Sequence, residues 1–183
     1  MLSKPVLDRL ISAVDCCPYG TSAGRQHRYR PQRSPLYTSD ERARRDATPW
    51  TMVQGILAPV QFAVFLLSLG LVLNYLATGQ GLAMAEGSVV VKTLLLYTIM
   101  ITGCVWEYEV FGKYLFAPAF FWEDVFSMLV LALHTTYLGA LFLGFGDTQF
   151  QMGLALAAYA AYVINAAQFV LKLRAARLQA SGA

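Results

Sequence analysis

Four apolar runs decide what this chain can become. They cover residues 50–75, 89–111, 120–145 and 150–173. Each exceeds the roughly 20 residues that cross about 30 Å of hydrocarbon as a helix. None alternates apolar and polar residues with period two, which excludes the strands of a membrane barrel. The connectors "LATGQGLAMAEGS", "GKYLFAPA" and "GDT" are short, so neighbouring helices must run antiparallel. The expected fold is all-α: an integral membrane protein, an up-down bundle of four transmembrane helices embedded in a lipid bilayer.

Charge sets the orientation. Charged residues are 14% of the 183 and hydrophobic ones 57%, against about 25% charged in a soluble domain. Nine of the fourteen Lys and Arg precede Pro49 and three follow Leu171. Lys113 lies in the connector after the second run, and Lys92 is read as near the outer end of that run. Positive residues favour the cytoplasmic side, so both termini and the 112–119 connector are expected there. The net charge of +3 belongs to the tails and does not point to nucleic acid. Three cysteines, Cys16, Cys17 and Cys104, form no metal-ligand spacing.

The expected organisation has four parts. Residues 1–34 are polar and read as a disordered arm, without the apolar core and cleavage site of a signal peptide. Residues 35–48 hold a short charged helix and lead-in, and residues 49–174 the four spans. Residues 175–183 form a tail. "TSDE" is a capping box joining Thr38 and Glu41, with a helix over 39–46. In "ATPW", Thr48 is the expected N-cap and Pro49 the first helical position.

Polar residues inside the spans are the candidates for function. Glu123 and Asp124 open the third span. Acids in a first turn are favoured by the helix dipole, which explains one of them structurally. His134 lies eleven residues beyond Glu123, about 16 Å deeper, and Glu123, Ser127 and His134 share a face. A histidine at that depth either bonds a neighbour's carbonyl or serves function, and intramembrane position favours function. Glu107 and Glu109 end the second span, where acids oppose the dipole. They point about 200° apart, so one cavity takes only one of them. Glu107 is the site candidate, beside Gly103 and Met100, and Glu109 is within i,i+4 reach of Lys113. Across a tight hairpin Glu107 and Glu123 fall at similar depth, and two carboxyls that close cannot both ionise freely.

Gln54 and Gln61 share a face around Pro59, as amides stitching helices together or as a pocket wall. In the fourth span Gly153, Ala157, Ala161 and Asn165 form a small-residue packing face. Asn165, Gln168 and Lys172 continue it toward the cytoplasm, with substrate contact as the secondary reading. These residues describe a carboxylate-rich pocket at the cytoplasmic mouth of four spans. They do not name a reaction.

"LYTSDERARRDATPWT", "LYTIMITGCVWE", "GKYLFAPAFFWEDVFSMLVLALHT" and "NAAQFVLKLRAARLQA" together resemble the 3-vinyl (older naming, 2-vinyl) bacteriochlorophyllide hydratases of bacteriochlorophyll synthesis. The likeness runs from about Leu36 to Ala180. It implies addition of water to the 3-vinyl group of chlorophyllide a or 3-vinyl bacteriochlorophyllide a, giving a 3-(1-hydroxyethyl) product. It implies no cofactor, since magnesium belongs to the substrate. It also implies a bacterial inner, intracytoplasmic photosynthetic membrane and contact with other enzymes of the same synthesis.

On that reading Glu123 or Asp124 protonates the terminal vinyl carbon and Glu107 orients or deprotonates water. His134, directly or through water, ligates the substrate magnesium. Gln61, Asn165, Gln168 and Trp122 contact the macrocycle, and Arg42, Arg45 or Lys172 meets its propionate. Two rivals remain from the sequence. A non-enzymatic pigment carrier would use His134 without needing three acids. A transporter would need a polar path through outer halves such as "FAVFLLSLGLVL", which are apolar.

Overall fold

A computed structural model describes residues 36–181. They form α1 (Ser39–Ala47), α2 (Trp50–Thr78), α3 (Leu82–Phe111), α4 (Phe121–Leu143) and α5 (Thr148–Ser181). The chain is all-α over these residues, and α2 to α5 each carry a stretch long and apolar enough to cross a membrane. The expectations for the arm over 1–34, with Cys16 and Cys17, lie outside the described residues.

The burial pattern is that of a protein whose solvent is lipid. Met52, Leu67, Phe142 and Leu143 face outward, the last 84% exposed. Gln61, Lys92, Glu107 and His134 face inward. A water-soluble domain would distribute these residues the other way.

The lead-in is built as its sequence dictates. The Thr38 hydroxyl accepts from the Glu41 N–H at 3.3 Å, and the Glu41 carboxylate accepts from the Thr38 N–H at 2.8 Å. Arg44 Nε donates to the Val110 carbonyl at 2.8 Å, filling one of the carbonyls left open at the end of α3. Tyr37 packs with Phe111 and Phe120, and burial pushes its hydroxyl pKa above the usual tyrosine range. Thr48 accepts from the Trp50 N–H at 3.3 Å, so it caps α2 although the regular helix starts one residue later than expected.

Two boundaries differ from the sequence reading. α3 starts at Leu82 rather than 89, because Leu, Ala, Met and Glu in "LAMAE" are strong helix formers. The turn before it contracts to residues 79–81, with Gly79 at φ 70° and Gly81 at φ 83°. α5 continues to Ser181, through residues expected to form a tail, because Ala, Arg, Leu and Gln there sustain a helix.

Polar contacts set the register between helices. Along α2 and α3, Thr51 meets Trp106, Gln54 meets Thr102 and Ser68 meets Ser88, at 2.7–2.9 Å. Along α4 and α5, Glu123 meets Lys172, Ser127 meets Asn165 and His134 meets Tyr159. In both sets residue numbers rise on one helix as they fall on the other. α2 packs along α3 and α4 along α5, while contacts between these two pairs are narrower.

Candidate functional site

The first turn of α4 is the pivot of the site. Successive residues on a helix point about 100° apart, so Glu123 and Asp124 cannot face the same neighbour. Glu123 turns to α5, where Lys172 Nζ donates to its Oε2 at 2.5 Å. Asp124 turns to α3, where Thr135, eleven residues on, also meets Tyr97 at 2.9 Å. The sequence paired Glu107 with Glu123. The structure instead brings Glu107 and Asp124 to one connector, where they accept from neighbouring backbone N–H groups.

The connector completes the acid pair. The Phe116 N–H donates to Asp124 Oδ2 at 2.8 Å, and the Ala117 N–H donates to Glu107 Oε1 at 3.0 Å. Phe116 adopts a left-handed backbone at φ 59°, which a non-glycine residue takes up only under outside constraint. Glu107 and Asp124 are both buried, at 4% and 7% exposure. Two buried carboxyls held by adjacent peptide groups disfavour double ionisation, so one of them tends to keep its proton. The arrangement can therefore hold a proton donor and a carboxylate side by side under a peptide cover.

Glu109 is exposed and takes the Thr48 hydroxyl as its donor. It is not brought to this pair, as expected from its angular offset. Among the described residues it forms no ion pair with Lys113.

The remaining candidates divide by depth. Asn165 donates to Ser127 Oγ at 2.9 Å, while its Oδ1 has no partner among the described residues. Gln168 is half-buried with its Oε1 likewise open. His134 is fully buried, and its Nδ1 lies 2.8 Å from the Val130 carbonyl. A carbonyl only accepts, so Nδ1 carries the proton and Nε2 presents a lone pair. That Nε2 has no partner among the described residues. Gln61 is buried with both amide atoms open, one turn from Phe65 in the core. Gln54, its expected companion, is satisfied by Thr102. Trp122, in the first turn of α4, is 66% exposed and packs edge-on against Phe121.

Of the expected propionate partners, Lys172 is engaged by Glu123, and Arg45 is paired with Asp46 and lies over the Tyr37 ring. Arg42 is exposed on α1.

Sequence reasoning missed Lys92. It is fully buried, with Nζ 3.9 Å from the centre of the Tyr162 ring and 5.8 Å from that of Tyr159. Taking the span to start at 89 put Lys92 near an interface. With α3 starting at Leu82 it lies ten residues inside. A lysine at a span centre costs about 2.5–3.5 kcal/mol on insertion scales, and that cost was the available signal.

The matched relatives decide the family. The model of the 2-vinyl bacteriochlorophyllide hydratase family matches residues 37–175. The chain belongs to this family. It is 68% identical over 148 residues to the 2-vinyl bacteriochlorophyllide hydratase of Cereibacter sphaeroides, covering 81% of this chain and 92% of that one. It is 66% identical over 151 residues to the protein of the same name from Rhodobacter capsulatus, covering 82% and 88%. No solved structure matches the chain. Both buried carboxyls, Glu107 and Asp124, lie within the matched residues.

Proposed function

We propose that the chain hydrates the 3-vinyl group of chlorophyllide a or 3-vinyl bacteriochlorophyllide a, and that Glu107 and Asp124 carry the reaction together. It is a hydro-lyase of bacteriochlorophyll synthesis, as the names of its relatives support. The single structural observation behind the mechanism is the buried carboxyl pair across α3 and α4.

The proton held by the pair passes to the terminal vinyl carbon, and the vinyl π electrons form the new C–H bond. The resulting cation sits on the carbon attached to the macrocycle and is delocalised into it. Water attacks that carbon and returns one proton to the pair, so one water is consumed and the acid is regenerated. The two carboxyls act as one titrating unit, with acid and base roles exchanged within it. Glu123 is assigned to the frame that holds α4 against α5 through Lys172. No redox cofactor is called for, since water addition leaves the electron count unchanged.

The macrocycle fits the seam between the two helix pairs, where contact is narrowest. His134 Nε2 and Asn165 Oδ1 are two buried lone pairs open to the substrate magnesium, and Gln61 and Gln168 supply further polar contacts. Arg42, exposed on α1, is assigned to a propionate. Following the basic residues, both termini and the 112–120 connector face the cytoplasm in an up-down arrangement. The chain then sits in the bacterial inner, intracytoplasmic photosynthetic membrane, within reach of the enzymes that supply and consume its pigment.

The test is to supply chlorophyllide a to membranes containing the protein. Hydration removes the vinyl group from conjugation, so the red absorption band moves to shorter wavelength and a hydroxyethyl product appears. A pigment that binds without spectral change or product identifies a carrier instead.

A further inference from the structure

We propose that Lys92 holds the substrate by its ring ketone, on the rim opposite the vinyl group, and thereby fixes which end of the macrocycle meets the acid pair. This inference rests on the hydratase reading above. Lys92 Nζ is fully enclosed and has no hydrogen-bond partner among the described residues. The Tyr162 face satisfies it in one direction only, leaving two of its three N–H donors without an acceptor. His134 Nε2, beside the shared Tyr159 ring, is also buried and without a partner among the described residues. A buried group without a partner calls for an explanation, and a ligand that completes it supplies one.

Depth selects the ligand. His134, which shares the Tyr159 ring as a neighbour with Lys92, lies ten residues along α4 from Asp124, or about 15 Å at the helical rise. That distance matches the full width of a chlorin between opposite rim substituents. It is well beyond the reach from ring centre to vinyl group. With the vinyl at Glu107 and Asp124, the rigid ketone conjugated to the far side of the ring arrives at Lys92. A propionate fits less well, because its flexible chain lets its charge remain in water.

One consequence follows for the metal. Asn165 pairs with Ser127, three residues from Asp124 and about 4.5 Å deeper than it. Ring-centre depth therefore falls nearer Asn165 Oδ1 than His134. An amide oxygen is also a kind of ligand magnesium prefers. In this placement His134 lines the far rim.

Resonance Raman spectra of chlorophyllide a bound to the full chain in detergent test the contact. The ketone stretch should fall in frequency relative to pigment in an aprotic solvent and return in Lys92→Met. KM for chlorophyllide a should rise about tenfold to a hundredfold in that variant, the range of a hydrogen bond to a charged group. An analogue with the ketone reduced to methylene should bind wild type and Lys92→Met equally. On wild type alone, it should bind more weakly than chlorophyllide a by a similar factor, which needs no variant to fold. A free-carbonyl frequency in wild type, or equal affinity of wild type for both pigments, overturns the proposal even while hydration proceeds. If wild type binds pigment with a lowered stretch but forms no product, the hydratase reading fails and the Lys92 contact stands.

Discussion

Glu107 and Asp124 stand on different helices but accept from consecutive backbone N–H groups, those of Ala117 and Phe116. The connector between α3 and α4 thus covers the two carboxyls and spaces them. Anchoring of the connector is therefore separable by substitution from the proposed part of each carboxyl in the reaction.

Asp124→Asn and Glu107→Gln keep an oxygen acceptor for the connector and remove an exchangeable carboxyl proton. Each should lower the hydration rate about a hundredfold or more, the range of general acid–base catalysis. Thermal unfolding of the purified variants should change little. A large loss of stability with a normal rate per folded molecule would assign the pair to loop anchoring.

Glu123 and Lys172 should behave as a structural couple. Glu123→Gln alone leaves Lys172 without its anion and should cost about 1–3 kcal/mol. Adding Lys172→Met should recover much of that loss, a coupling that a double-mutant cycle measures. Turnover in the double variant should stay within a few-fold of wild type. Loss of turnover equal to that of Asp124→Asn would return Glu123 to the chemistry.

Ser68 joins α2, α3 and α5, meeting Ser88 at 2.7 Å and the Tyr159 hydroxyl at 2.5 Å. Ser68→Ala strands a buried hydroxyl and should destabilise by about 1–3 kcal/mol. Hydration per folded molecule should be unchanged.

Trp122 lies in the first turn of α4 with its side chain exposed. Trp122→Ala should leave KM for chlorophyllide a unaltered, with any effect confined to membrane association. A several-fold rise in KM would restore the ring-stacking role expected from sequence.

The spans, the capping box and the polar stripe on α4 were legible because each rests on local periodicity. Glu123, Ser127 and His134 share a face whatever packs against it. Which neighbour that face meets was not legible. The choice of Asp124 over Glu123 as the partner of Glu107 depends on the rotation of α4 between α3 and α5, a tertiary quantity. Lys92 was hidden for a different reason. The helix-forming run "LAMAE" was read as connector because Gly87 and Ser88 follow it, and the seven-residue error at the start of α3 moved the lysine from core to interface. Gln61 and Asn165 were visible as polar residues in apolar runs, but their open atoms required coordinates.

The acid pair lies within about one and a half turns of the ends of both its helices. Charges so near the boundary sense little of the voltage dropped across the lipid interior. Proton delivery to the vinyl group should therefore proceed at the same speed in energised and collapsed vesicles.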